Sequence, residues 1–126
     1  MVLIEKDILM KNLLLCLALL LTVCSAEAKY ITALNGQGVL IERVFVHESG
    51  AISIYIAGEL KNLDNCTATF RVYIPPTATA KDEMLSLALF AYASGKRVGF
   101  HGSGCSTTSF WGGTQDVPIV NNMWVH

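Results

Sequence analysis

The sequence predicts a small, mainly β domain with one helix. Three observations carry this: apolar runs with a period of two, one helical run between the third and fourth of them, and a chain of only about a hundred residues once the leader is set aside. The order strand, strand, strand, helix, strand, strand (β-β-β-α-β-β) is that of the five-stranded OB-fold-like barrel. Closing such a barrel removes exposed sheet edges. A small mixed α+β sheet with one covering helix is the alternative.

The elements follow in order. Residues 1–28 read as a secretory signal peptide: Lys11-Asn12 precede the apolar run Leu13 to Val23, and Ser25-Ala26-Glu27-Ala28 supply an A-x-A cleavage pattern. Glu5 and Asp7 ahead of that run make Met10 the alternative start. The run is shorter than the ~20 apolar residues that span a bilayer, so no stable membrane insertion is expected. Cleavage after Ala28 leaves residues 29–126 as one domain, secreted or periplasmic. Its two cysteines, Cys66 and Cys105, then read as one disulfide in an oxidising compartment. A bridge closing a loop of about forty residues contributes about 4 kcal/mol in the loop-entropy account.

Val39 to His47 is the first strand, and Glu48-Ser49-Gly50 is a turn. Ala51 to Ala57 is the second, with Ile52, Ile54 and Ile56 on one face and Ser53, Tyr55 and Ala57 on the other. Cys66 to Ile74 is the third, with Ala68, Phe70, Val72 and Ile74 on one side; Pro75-Pro76 stops it. A helix follows, with Thr79 as N-cap, Asp82 and Glu83 in the first turn, the body Met84 to Ala93, and Gly95 at the left-handed cap. Lys96 to His101 is the fourth strand, with Val98 and Phe100 inward. Gly102 to Gln115 is a long polar loop, and Val117 to Val125 the fifth strand.

Of 126 residues, 52% are hydrophobic and 15% charged, a balance opposed to disorder. The formal net charge of −1 leaves no basic field for nucleic acid. His47, His101 and His126 sit in no metal-ligand spacing. Gly102 to Thr108 lacks the lysine of a phosphate loop, and Gly36-Gln37-Gly38 lacks the following helix of a dinucleotide site. No nucleophile, base and orienting group converge in the sequence, so the chain reads as no enzyme, with no cofactor and no metal.

Two features point to binding. The loop carries Ser109, Phe110, Trp111 and Gln115: hydroxyls and an amide for sugar hydroxyls, and an aromatic face to stack on a sugar ring. In OB-folds the loop between the fourth and fifth strands binds oligosaccharide or oligonucleotide. The alternative is that Phe110 and Trp111 fold back on the barrel as its plug. Trp124, in the last strand, reads as core or interface. The helix is apolar nearly all round, and the row Leu85, Leu89 and Tyr92 is the surface expected to meet a partner, such as another copy of the chain.

The junction Ala88-Leu89-Phe90-Ala91-Tyr92-Ala93-Ser94-Gly95-Lys96-Arg97-Val98 resembles that of the small secreted B subunits of AB-type bacterial toxins, of the subtilase-cytotoxin and typhoid-toxin sort. Leader, length and strand order fit the same resemblance. It implies an OB-fold, a pentameric ring, glycan binding on host cells and an enzymatic partner subunit. The family's sugar-contact residues find no match in the first half of this chain, so none is transferred. The expectation is therefore a non-enzymatic, B-subunit-like binding module. A periplasmic or secreted protein-interaction module, an inhibitor or envelope accessory factor, is the second reading.

Overall fold

The computed structural model describes residues 2–20, 29–106 and 114–126. Its elements are α1 (Val2–Leu20), β1 (Lys29–Tyr30), β2 (Leu40–Val46), β3 (Ile52–Ala57), β4 (Arg71–Ile74), α2 (Lys81–Ser94), β5 (Val98–Gly102) and β6 (Asn122–Val125). The protein is mainly β, as the alternating runs predict. Two elements are added to the predicted ones: residues 2–20 form helix α1, and β1 is a short extra strand. The strands form two three-stranded antiparallel sheets, β1-β5-β6 and β2-β3-β4. Among the described residues their ladders do not close into a barrel.

Single bridges join the two sheets. Val39 and Val98 exchange both backbone hydrogen bonds at 2.9 Å, antiparallel. Tyr73 and Ile119 lie parallel: Tyr73 N–H donates to Pro118 O, and Val120 N–H to Tyr73 O, each at 2.9 Å. Cys105 pairs with Pro118, where Ser106 N–H donates to Val117 O at 2.8 Å. The predicted fifth strand is therefore two pieces. Residues 117–120 divide their hydrogen bonds between β4 and residues 104–106, and only Asn122–Val125 run as a regular partner of β5. The crossing is close: a Cβ on Gly102 would sit 2.0 Å from Ile119 O, so only glycine fits there.

The third predicted strand is also shorter, because residues 66–68 spend their backbone groups elsewhere. Asn62 clamps Cys66 from both sides: its Oδ1 accepts Cys66 N–H at 2.7 Å and its Nδ2 donates to Cys66 O at 2.8 Å. Thr67 N–H donates to the Asp116 carboxylate, and Ala68 N–H to Asp116 O. This clamp positions Cys66 for its disulfide with Cys105, 39 residues on. The bridge fastens the loop before β4 to the extension of β5.

The core lies between the β2-β3-β4 sheet, α2 and β5. Ile52, Ile54, Val72 and Ile74 meet Met84, Ala88 and Ala91 of the helix and Val98, Phe100 and Val120. Val98 and Phe100 are 0% exposed, as their inward phase predicts. The second face of β3 and β4 departs from simple alternation. Ser53, Arg71 and Tyr73 are buried as well, because Ala51, Tyr73 and Val117 form a second apolar cluster there. Arg71 Nη1 donates to Ser53 Oγ at 3.1 Å, so the buried hydroxyl is satisfied. The helix begins one residue later than Thr79 predicts. Ala80 is at the N-cap and makes no side-chain cap. Its end is as predicted: Gly95 is left-handed, and Lys96 N–H donates to Ala91 O at 3.0 Å in a Schellman closure.

Two stability outcomes follow from this packing. Phe100→Ala is expected to cost about 3–5 kcal/mol in denaturant unfolding, because the ring is fully enclosed. Reducing the Cys66–Cys105 bridge is expected to cost about 4 kcal/mol in the same measurement. A loss under about 1 kcal/mol from either change would contradict the packing described.

Candidate functional site

The outward face of the β1-β5-β6 sheet is built by phase. Val98 and Phe100 point into the core, so Gly99 and His101 point out. The register then sets Tyr30 and Asn122 on either side of His101, and Trp124 opposite Gly99. A glycine at position 99 is what lets Trp124 lie against the sheet, since a Cβ there would sit 2.0 Å from the indole Cε2. The indole N–H donates to His126 Nε2 at 3.2 Å, which fixes the ring at its edge. Tyr30 stands nearly upright beside it, with centroids 6.2 Å apart and planes at 74°. His101 meets Tyr30 edge-on at 4.8 Å.

These residues and Leu34 line an open cleft of about 260 Å³. Tyr30 is 44% exposed and Leu34 is 54% exposed, a cost in water for any surface without a ligand. Asn122 Nδ2 donates to His101 Nδ1 at 3.0 Å and to Asn121 Oδ1 at 2.8 Å. An amide nitrogen cannot accept, so His101 Nδ1 is the acceptor in this bond and Nε2 is the ring nitrogen left to donate. A second cleft, of about 300 Å³, lies between residues 31–39 and 59–61. It has no aromatic surface among its lining residues.

The predicted site residues fall in three groups. Ser109, Phe110 and Trp111 lie outside the described residues. Gln115 is exposed, at the near end of the same loop. On α2 the row splits. Leu85 is half-buried against the core, while Leu89 and Tyr92 are 50% and 54% exposed, beside Phe90 at 58%. The core-facing stripe is Met84, Ala88 and Ala91 instead. Sequence reasoning missed the Tyr30, His101, Asn122 and Trp124 cluster. Trp124 is half-buried on an outward face, not core. The inward phase of Val98 and Phe100 carried the signal, because it turns position 99 outward and leaves a glycine gap for an aromatic.

No protein family, no curated protein and no solved structure matches this chain. The chemistry therefore rests on the residues. Cys66 Sγ, Cys105 Sγ and an Asp116 oxygen lie within 4.8 Å of one another. The sulfurs are bonded to each other, so one carboxylate remains and the group cannot hold a metal. His47 Nδ1 and Ser49 Oγ are 2.9 Å apart, but they belong to one exposed turn, where Ser49 N–H also donates to His47 Nδ1. That is local turn bonding rather than an activated nucleophile.

Two carboxylates near the disulfide are held below their ordinary range. The Lys29 ammonium bonds Asp64, and Gly104 N–H adds a second bond at 2.9 Å. Asp116 is lowered chiefly by the Thr67 N–H. A lowered folded value means stability that is present above the unfolded value, about 3.9, and lost as pH falls through the folded one. The thermal midpoint of the wild type is expected to exceed that of Asp64→Asn at pH 6, with the gap closing as the pH falls below the ordinary carboxylate range and through the lowered folded value. A gap that widened in acid would contradict the Lys29–Asp64 link. Gly99→Val is expected to displace the Trp124 ring, weakening the near-ultraviolet circular dichroism and costing about 1–3 kcal/mol; an unchanged spectrum would contradict the packing.

Proposed function

We propose that this chain is exported and acts as a non-enzymatic binding module that recognises glycans on a cell surface, as one copy of an oligomer. The observation that carries this reading is the aromatic cleft over β1, β5 and β6. It offers stacking faces and neutral hydrogen-bonding groups, as a sugar requires. The loop residues Ser109, Phe110, Trp111 and Gln115 remain a second candidate contact region for the same ligand.

Export is supported by two observations. Every described side chain of α1 from Glu5 to Leu17 is exposed, as expected of a leader that packs on nothing. The Cys66–Cys105 bridge belongs to an oxidising compartment. Among the described residues no helix is long and apolar enough to cross a membrane.

The five-stranded OB-like barrel is our reading of the fold. β1 and Val39 lie along the same edge of β5, so β1 and β2 read as one interrupted line. On this reading the order around the molecule is β2, β3, β4, residues 117–120 and β5, with the isolated Val39–Val98 bridge between β5 and the start of β2. The parallel contact of Tyr73 with Ile119 supports that order. With the junction at Ala88 to Val98, it favours the resemblance to toxin B subunits, and with it an enzymatic partner subunit.

Oligomerisation follows from energetics. One ring stack contributes about 1 kcal/mol, and two or three neutral hydrogen bonds about 1 kcal/mol each. Even before the cost of association is subtracted, their sum corresponds to a Kd no tighter than about 1 mM. Holding a cell surface at that affinity requires several linked sites. The exposed Leu89, Phe90 and Tyr92 are the surface we assign to subunit contact, with Leu85 at its base. The same side chains favour, as the alternative, a protein-interaction module that docks an envelope protein there.

Light scattering of the exported, oxidised protein is expected to give a mass of several protomers, about five if the ring is of the toxin type. Leu89→Asp is expected to reduce it to one protomer with the thermal midpoint shifted by only a few degrees, because the position is half exposed in a single chain. A monomeric wild type would discard the ring and favour the protein-docking alternative.

A further inference from the structure

Resting on the glycan reading above, we propose that the cleft over β1, β5 and β6 takes a neutral sugar: one terminal hexopyranose ring bearing no carboxylate or sulfate. The lining decides the charge class. Among the described residues it consists of Tyr30, Leu34, His101, Asn122 and Trp124, with no lysine, arginine, aspartate or glutamate. The cations at neighbouring positions are engaged elsewhere. Lys29 pairs with Asp64, and the Arg97 guanidinium donates to Gly38 O at 3.5 Å. An anionic sugar would lose water here and gain no opposite charge. A neutral one loses only hydroxyl hydration, which the cleft replaces.

The replacement is specific. Both N–H groups of Asn122, a residue of the lining, are spent on His101 and Asn121, which leaves its Oδ1 as an acceptor for the ligand. His101 presents Nε2–H as a donor. The Tyr30 hydroxyl acts as either, and none of these three atoms has a protein partner among the described residues. A donor, an acceptor and a group of both kinds match the vicinal hydroxyls of a pyranose. Trp124, held flat by Gly99 and His126, is the platform for the C–H face of the sugar; Tyr30, at 74° to it, is the wall. The platform is fixed before the ligand arrives, so stacking costs little ordering. The cleft is open and has room for one ring, which points to the end of a glycan and not its interior.

The test is a glycan array probed with the exported, oxidised protein, comparing cores that end in galactose, glucose or N-acetylglucosamine with the same cores ending in sialic acid, a uronic acid or a sulfated sugar. Neutral ends are expected to retain at least about tenfold more protein, and Trp124→Ala and Asn122→Ala each to lower that signal about tenfold. Asn122 is exposed, so its variant carries the test if Trp124→Ala unfolds. Preference for acidic ends would overturn the neutral assignment and leave the glycan reading standing. Binding lost in Trp111→Ala but kept in Trp124→Ala and Asn122→Ala would overturn it by moving the site to the loop. Folded wild-type protein that binds no glycan would overturn both.

Discussion

Strand β5 is the constraint on which the rest of the molecule depends. Its residues, Val98-Gly99-Phe100-His101-Gly102, divide between the core, the outward face and a close crossing of the backbone. Val98 and Phe100 fill the core. Gly99 leaves the gap that Trp124 covers, and Gly102 admits the backbone of residues 119–120. β5 has neighbours on both sides, with β1 and Val39 on one and β6 on the other. Phe100 N–H donates to Thr32 Oγ1 at 2.9 Å, while Ile31 N–H donates to Phe100 O. The strand is thus satisfied along both edges, as a strand buried on one face must be. A side chain at either glycine would disturb the site and the sheet junction together.

The same strand links stability to the proposed site. The disulfide fastens the chain just past β5, and the Asn62 clamp and the Asp64 carboxylate hold the facing loop. Tyr30, His101, Asn122 and Trp124 therefore stand on ladder residues rather than on a loose loop. A weak ligand such as a single sugar ring benefits most from such rigidity, because the few kcal/mol it gains would be consumed by ordering mobile side chains. The apolar rim of α2 lies on a different element, so the proposed assembly and the proposed sugar contact can be tested separately.

Much of this architecture was legible in the sequence, and the exceptions have physical reasons. Ile52, Ile54 and Ile56 revealed β3, Gly95 the end of α2, and Cys66 and Cys105 their bridge. The lengths of the third and fifth strands were misread because their hydrogen bonds go to side chains and to two neighbours at once. Asn62, Asp116 and Tyr73 take those bonds, and no local pattern announces such long-range partners. The burial of Ser53, on the face opposite the isoleucines, has a similar cause: Val117, far along the chain, helps to bury that face. The candidate site was the least legible part. It gathers positions 30, 101, 122 and 124, which only the register brings together.

The most direct test of the account is amide and indole chemical-shift mapping of the isotope-labelled, oxidised protein titrated with methyl β-galactopyranoside. Shifts are expected to concentrate on the Trp124 indole N–H, Tyr30, His101 and Asn122, saturating at millimolar sugar. Shifts confined to α2 or to residues 107–115, or none at saturating sugar, would contradict it.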